Sequence, residues 1–337
     1  MPRARPTAWP SSSWKWTCRH ASSCQGSAAQ APWLPPASCG NHPGAAGWQR
    51  AVAAAPAGKP ERENPAMPTP TQPASRSLAS LKNLRYSQDD QGAGLLLLDR
   101  PPVNALGRQL VADLDTAATA LAADPSVRTL VLAAEGRTFC AGADLKERQT
   151  MNTDDVRAFV HTLSATCQKI AELPFPTVAA IHGTAAGGGC ELALACDFRV
   201  LDTVGRLGLP ETTLAIVPGA GGTQRLPRLI GTARAKKWIF SGRLFSADEA
   251  LADGVVDRIV PAEQVRQAAL EMMAEMARSA PLALKAAKSA IDAAFDGPLP
   301  RGLEREWRAY ETILDTEDRR EALAAFKEKR APVFKGR

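Results

Sequence analysis

The amino-acid sequence predicts an α/β domain that is followed by a helical region. Between residues 82 and 260, short apolar runs of strand length alternate with segments of helix length, as in layered α/β proteins. After residue 261 only helical periodicity returns. Of the 337 residues, 45% are hydrophobic and 23% are charged, which provides ample material for a core. The longest apolar runs fall far short of the roughly 18 residues that a membrane span needs, so we exclude an integral membrane protein.

Four segments follow from these patterns. We expect a leader at residues 1–66, a linker at 67–81, an α/β core at 82–260 and a C-terminal helical region at 261–337. The leader has seven Lys or Arg against two Asp or Glu, so it carries +5 of the net charge of +6. The remaining residues therefore carry only +1, and the basic character belongs mostly to the leader.

Three interpretations of the leader are open. It contains five of the seven Trp, is rich in Pro, Ser, Gly and Ala, and shows no sustained periodicity. A disordered tail, or translation begun upstream of a true start at Met67, is favoured and predicts a cytoplasmic protein. An organelle transit peptide would predict the mitochondrial matrix, and a Trp-rich binding segment is the third interpretation. None of the cysteines forms a CxxC pair, which indicates a reducing compartment.

The core begins with a predicted hairpin. Strands at Leu84–Tyr86 and residues 95–99 are joined by the turn sequence DDQGAG. A helix near residues 107–122 follows, because leucines recur on one stripe of it. The run TLVLAA predicts a strand at residues 129–134. A helix near residues 153–172 then begins with two aspartates in its first turn, where the helix dipole favours negative charge.

The second half of the core is richer in glycine. The run PTVAAI predicts a strand at residues 176–181 and leads into HGTAAGGGCELALACDFRV, where strand, loop and helix alternate again. The C-terminal region predicts four helices, near residues 261–279, 281–295, 300–314 and 317–329. This region is too small to fold alone, so we expect it to pack on the core or on a neighbouring subunit.

Several common kinds of site are excluded. Of the four histidines, His20 and His42 lie in the leader, His161 lies within a helix, and His182 ends a strand where a structural role is favoured. We therefore predict no metal site. The sequence lacks a GxSxG motif for a serine hydrolase, and GAGG at residues 219–222 lacks the full pattern of a dinucleotide site.

Glycines and glutamates remain as candidates for chemistry. Gly187–Gly189 precede an apolar helix at residues 190–195, and such a junction points free N–H groups at an anionic ligand. The loop at residues 141–144 follows a strand and is placed to supply a second N–H donor. An enolate-forming reaction needs two such converging donors. Beside these loops, Glu191 and Glu211 indicate a general acid and a general base that flank one substrate.

Four segments together resemble the crotonase, or enoyl-CoA hydratase/isomerase, superfamily. They are AGADLKER (141–148), GGGCELALACD (187–197), LGLPETTLAIVPGAGGTQRLPR (207–228) and DRREALAAFKEKR (318–330), in the family's order. The resemblance covers about residues 82–337. It implies a spiral of ββα turns, a helical C-terminal region that forms homotrimers or paired homohexamers, and acyl-CoA thioesters as ligands. Coenzyme A is then part of the substrate, and no separate cofactor is expected.

The resemblance also implies roles for individual residues. Ala143 and Gly188 match the backbone donors of the oxyanion hole, and Glu191 and Glu211 match the two catalytic carboxylates of the hydratases. Which glutamate is the acid is left open, since the pair can titrate as a unit. Further positions are expected to contact the acyl chain or coenzyme A: Ala141, Asp144, Leu145, Tyr310, Phe326 and Lys329. Phe326 and Lys329 would do so from a neighbouring subunit, although a solvated helix face explains Lys329 as well.

The lead hypothesis for function is an enoyl-CoA hydratase, because family members that only isomerise or cleave commonly lack one glutamate. The alternatives are an enoyl-CoA isomerase or another enolate-forming crotonase, and an RNA-binding or scaffold role. The motifs look closest to the methylglutaconyl-CoA hydratase branch, which includes members that bind RNA through a Lys-rich helix. Here the matching helix, around residues 105–121, has one Arg and no Lys. This composition argues against nucleic acid as a partner.

Overall fold

The computed structural model describes residues 78–337, so the predictions for the leader and for most of the linker lie outside the described residues. Strands and helices alternate through this range, and the predicted α/β class is confirmed. The strands are β1 (Leu84–Gln88), β2 (Ala93–Leu98), β3 (Thr129–Ala134), β4 (Thr177–Ile181), β5 (Thr184–Ala186), β6 (Phe198–Asp202), β7 (Arg206–Gly208), β8 (Phe245–Ser246) and β9 (Arg258–Val260).

The α-helices vary from one turn to five. They are α1 (Arg108–Ala123), α2 (Leu145–Arg148), α3 (Thr153–Ala171), α4 (Gly188–Leu194), α5 (Gly222–Ile230), α6 (Thr232–Ser241), α7 (Ala247–Asp253), α8 (Val265–Met276), α9 (Pro281–Asp292), α10 (Leu299–Glu311) and α11 (Glu317–Glu328). Short 3-10 helices occur at Pro210–Leu214, Ala262–Gln264 and Ala293–Phe295. No helix within residues 78–337 combines the length and the apolar character needed to cross a membrane.

Six strands form the large sheet in the order β1-β2-β3-β4-β6-β9. β1 and β2 are antiparallel, as predicted for the hairpin, and every other neighbouring pair is parallel. In the register of the central strands, Leu96 lies opposite Leu132, which lies opposite Ala179. All residues of β2, β3 and β4 are buried. Burial on both faces explains why these strands read as continuous apolar runs instead of alternating patterns.

A second layer is formed by β5, β7 and β8. β4 is followed by β5 and then α4, and β6 is followed by β7 and, after a 3-10 helix, by α5. The segment after β3 repeats this order. Cys140 makes a parallel bridge to Ala185 of β5, and α2 then begins. This repetition is the ββα arrangement that the resemblance implied. It brings the loop before α2 beside the loop before α4.

Apolar side chains cover both faces of the large sheet. On one face, α1 and α3 pack with the sheet in a cluster that extends to Trp238 and Phe245. On the other face, Ala268 and Met273 of α8 contact Val131 and neighbouring residues of the sheet. The first C-terminal helix therefore contributes to the packing of the core.

The last three helices extend from this core. Lys288 of α9 forms an ion pair with Asp197, which holds the helix against the end of β4. At the C-terminal end, Asp318 of α11 accepts hydrogen bonds from the backbone N–H groups of Lys335 and Gly336. Several large apolar side chains on and beside these helices remain exposed: Ile291, Phe295, Leu299, Trp307, Tyr310 and Phe326.

Candidate active site

The loop before α2 is fixed beside the N-terminus of α4. Gly142 has φ +90°, and a Cβ atom placed on it would lie 2.6 Å from the carbonyl oxygen of Ala186. Only glycine accommodates this combination of dihedral angle and close approach. Hydrogen bonds with Leu106 hold the loop on both sides, because Leu106 N donates to Gly142 O and Asp144 N donates to Leu106 O.

Two backbone N–H groups converge at this junction. A Cβ atom placed on Gly188 would lie 3.9 Å from the nitrogen of Ala143. Neither N–H group has a hydrogen-bond acceptor among residues 78–337. Gly188 is the first residue of α4, where the helix leaves its N–H groups unpaired and its dipole favours negative charge. The arrangement can hold an anionic oxygen between the two donors.

Glu191 lies in the first turn of α4 and is 2% exposed. Its Oε1 accepts hydrogen bonds from the backbone N–H groups of Ala220 (2.7 Å) and Gly222 (2.8 Å). Burial raises the pKa of this carboxyl above its ordinary value, while the two hydrogen bonds and the charge of Arg225 act in the opposite direction. These contacts fix the carboxylate in one orientation.

Glu211 lies in the 3-10 helix at Pro210–Leu214 and is 8% exposed. Its Oε2 is buried and has no hydrogen-bond partner among the residues that the structure describes. Burial, with a smaller contribution from the negative charge of Glu191, raises the pKa of Glu211 to about 7. The carboxyl group is therefore substantially protonated at neutral pH and can donate a proton.

Glu211 lies close to Gly187, the residue that joins β5 to α4. A Cβ atom placed on Gly187 would lie 3.0 Å from Glu211 Oε1, and one placed on Gly222 would lie 3.1 Å from Glu191 Oε1. The two glutamates are thus both beside the junction that presents the N–H groups of Ala143 and Gly188. Chemically, this arrangement offers one anchored carboxylate, one proton donor and two hydrogen-bond donors for an oxyanion.

Comparison with known proteins identifies the family to which this protein belongs. A family model described as enoyl-CoA hydratase/isomerase matches residues 88–337. The chain belongs to the enoyl-CoA hydratase/isomerase family. It is therefore an enzyme of the crotonase superfamily, whose members act on acyl-CoA thioesters.

Relatives of this enzyme match it over about three quarters of the chain. The enoyl-CoA isomerase/hydratase fer4 of Mycosarcoma maydis is 45% identical over 269 residues, which are 75% of this chain and 98% of that protein. The mitochondrial methylglutaconyl-CoA hydratase of Rattus norvegicus is 44% identical over 262 residues, 76% of this chain and 83% of that protein. A crystal structure of enoyl-CoA hydratase from Bacillus anthracis, 44% identical, matches with a TM-score of 0.74 over 76% of this chain and 100% of that chain.

Three more of the predicted site residues lie at the loop before α2. Ala141 and Leu145 are exposed there. Asp144 accepts a hydrogen bond from Arg100 Nη2 at 2.7 Å and caps α2 by accepting from the N–H groups of Lys146 and Glu147. The Arg100 hydrogen bond, foremost among these contacts, lowers the pKa of Asp144. These contacts make Asp144 a residue that orders the loop before α2.

The predicted site residues at the C-terminal end lie on α10 and at the end of α11. Tyr310 stacks on Trp307 with ring centroids 6.1 Å apart. Phe326 is 87% exposed, and Lys329 ends α11 in the left-handed conformation. Their contact with coenzyme A from a neighbouring subunit stays a prediction.

Sequence reasoning missed the two N–H groups that hold Glu191. Ala220 and Gly222 belong to GAGG, which resembled only an incomplete dinucleotide loop. The signal was available in the family motif, where GAGG closely follows Glu211. His182, predicted to be structural, has Nε2 3.0 Å from the carbonyl oxygen of Gly136. Within residues 78–337, no group of three or more His, Cys, Asp or Glu is arranged to hold a metal ion.

Proposed function

We propose that this enzyme adds water across the 2,3 double bond of an enoyl-CoA thioester. One observation carries the proposal: two buried glutamates, one anchored by two backbone N–H groups and the other with a carboxyl oxygen that has no partner among the described residues, lie beside two unpaired N–H donors. Hydration needs all of these groups, because a hydroxyl group and a proton are delivered to adjacent carbons while negative charge collects on the thioester oxygen.

In the proposed reaction, the N–H groups of Ala143 and Gly188 bind the thioester oxygen. Glu191 acts as the general base, because its Oε1 is anchored by two N–H groups while its Oε2 accepts no hydrogen bond from the described residues. It takes a proton from water as the water oxygen bonds to C3, and the π electrons move to give the enolate. Glu211, whose pKa is about 7, gives its proton to C2. One donor of such an oxyanion hole contributes about 3–4 kcal/mol.

Isomerisation is the second candidate, because the relative from Mycosarcoma maydis is described as an isomerase/hydratase. Moving a double bond needs one group that takes a proton and returns it to another carbon. A second carboxyl group with a pKa of about 7 supports hydration instead. The relative described as methylglutaconyl-CoA hydratase makes 3-methylglutaconyl-CoA a candidate substrate.

The test is to incubate the full-length protein with crotonyl-CoA and with 3-methylglutaconyl-CoA and to identify the products by mass. We expect loss of the conjugated double bond and a 3-hydroxyacyl thioester that is heavier by one water. A product of unchanged mass with a shifted double bond would support the isomerase. Thioesters that bind but do not react would contradict both candidates.

We also propose that no separate cofactor takes part and that the enzyme works as a homotrimer or homohexamer. Exposed apolar side chains on the C-terminal helices, such as Trp307 and Phe326, support assembly. Light scattering should give three or six times the chain mass of 35.8 kDa; a mass of one chain would contradict assembly.

For the location, we propose the cytoplasm, with the mitochondrial matrix as the alternative if residues 1–66 are a transit peptide. The alternative is supported by relatives described as mitochondrial. A fluorescent reporter fused after residue 66 would separate the two, because only a transit peptide carries it into mitochondria.

A further inference from the structure

Arg225 is a half-buried arginine that contacts the loop holding Glu191. It is the fourth residue of α5, near the positive end of the helix dipole, where a negative side chain is favoured over a positive one. Its guanidinium forms no ion pair with a carboxylate of residues 78–337 and donates hydrogen bonds to Ala220 O (2.9 Å) and Gln168 Oε1 (2.7 Å). The stability of α5 therefore does not account for an arginine at this position, whereas its contact with the loop does.

The guanidinium of Arg225 fixes the backbone of the loop at residues 219–222. It donates to the carbonyl oxygen of Ala220, and the N–H group of the same residue donates to Glu191 Oε1 at 2.7 Å. Gly221 has φ +110°, and a Cβ atom placed on it would overlap the guanidinium. The arginine side chain thus lies directly against the backbone between the two N–H groups that hold Glu191. A planar guanidinium suits this task, because it presents several donors in a fixed fork.

Arg225 also places positive charge near Glu191. Among residues 78–337, the charged or titratable groups that interact with Glu191 are Arg225 on α5, Glu211 on the 3-10 helix, Cys167 on α3 and Cys190 on α4. Burial raises the pKa of both thiols far above neutral, so neither carries a charge. Burial also raises the pKa of Glu191, and the charge of Arg225 acts in the opposite direction. Arg225 therefore favours the ionised carboxylate, which is the form that can take a proton.

We propose that Arg225 is a positioning residue for the catalytic base, because it holds the loop that orients Glu191 and places a positive charge near the carboxylate. This inference rests on the proposed function, since it takes Glu191 to be the group that removes a proton from water. In this assignment Arg225 acts through Ala220 and Glu191 and not on the substrate itself. Loss of its side chain should therefore slow the chemical step and leave thioester binding as it is.

Arg225→Met tests the proposal through the pH dependence of hydration. A base must be ionised, so kcat/KM rises with pH through the pKa of Glu191 and, with Glu211 as the acid, falls through about 7. Without the charge of Arg225 the pKa of Glu191 is higher, and we expect the rising limb to move up by about 0.5–1 pH unit while the falling limb stays in place. We also expect kcat to fall about 10- to 100-fold with KM unchanged, because the base is less well oriented.

Arg228→Met is the matched control. It removes the same charge about one turn further along α5, where Arg228 is exposed and, among the described residues, forms hydrogen bonds only with Gln224 of its own helix. This variant should leave both limbs and kcat unchanged. Arg225→Lys separates orientation from charge, because it retains the charge but not the fork of donors. We expect it to keep the wild-type rising limb and to have a lowered kcat.

Two results would overturn the proposal: a rising limb and kcat of Arg225→Met that equal those of the wild type, or an equal shift of the limb in Arg228→Met. A role of Arg225 in packing alone would lower stability and leave the limb in place, which would also contradict the proposal. If Arg225→Met does not fold, Arg225→Lys decides, because a wild-type kcat in that variant would contradict a positioning role.

Infrared difference spectra between pH values separate this inference from the proposed function, because they need no substrate. A protonated-carboxyl band that is absent from Glu191→Gln belongs to Glu191. If neither crotonyl-CoA nor 3-methylglutaconyl-CoA is hydrated, the proposed function fails, but a band that titrates at higher pH in Arg225→Met than in the wild type would still support the role of Arg225. If either is hydrated and Arg225→Met changes neither the rate nor the band, the role of Arg225 fails and the proposed function stands.

Discussion

Replacing Glu211 with Gln should stabilise the protein at alkaline pH. Its carboxyl group is 8% exposed, its Oε2 has no partner among the described residues, and its pKa is raised from 4.5 to about 7. Because the folded state binds this proton more tightly than the unfolded chain, wild-type stability falls as the pH rises from about 4.5 and is fully reduced above about 7. One pKa unit corresponds to about 1.4 kcal/mol, so the shift corresponds to at most about 3 kcal/mol. Glutamine has a similar shape but carries no charge, so the variant does not lose this stability as the pH rises.

The assay is urea unfolding of the wild type and of Glu211→Gln at pH 5 and at pH 8, at one fixed protein concentration because assembly affects stability. We expect the variant to be more stable by up to about 3 kcal/mol at pH 8 and by less than about 1 kcal/mol at pH 5, where the loss has only begun. Glu263→Gln is the matched control, because Glu263 is exposed and its charge has no burial cost. A stability difference for Glu211→Gln that is the same at both pH values would refute the reasoning.

Two other predictions concern turnover. With Glu211 as the proton donor, kcat/KM for hydration should fall as the pH rises through about 7, and a rate that stays level to pH 9 would remove Glu211 from that role. Gly142→Ala should lower kcat about 10²–10³-fold, because its Cβ would lie 2.6 Å from Ala186 O and displace the N–H of Ala143. Gly136→Ala is the control, since Gly136 has a similar φ of +87° but its Cβ would meet nothing closer than 3.9 Å; equal losses in both variants would point to backbone strain alone.

The sequence predicts the elements whose patterns are local. The run TLVLAA gives a strand with the bounds Thr129–Ala134, because burial on both faces demands a continuous apolar run. The helix predicted near residues 153–172 is observed at Thr153–Ala171, where Asn152 and Asp155 form a capping box. The antiparallel hairpin was likewise predicted from its turn and the two flanking runs.

Contacts between distant segments could not be predicted from local patterns. Glu191 is oriented by the N–H groups of Ala220 and Gly222, which lie 29 and 31 residues further along the chain. The sequence showed that Glu191 and Glu211 lie near glycines. It could not show which carboxyl group would be held by hydrogen bonds and which would be left without a partner. The two carboxyl groups differ because the loop that carries Ala220 and Gly222 reaches Glu191. This difference is the basis for assigning Glu191 as the base and Glu211 as the acid.

The most direct test of the two-carboxylate account is the hydration rate of Glu191→Gln and of Glu211→Gln, with thioester binding measured on the same samples. The account predicts that each variant still binds the thioester but forms the 3-hydroxyacyl product about 10²–10⁴-fold more slowly, because each lacks one step of general acid–base catalysis. Wild-type rates in both variants would contradict it.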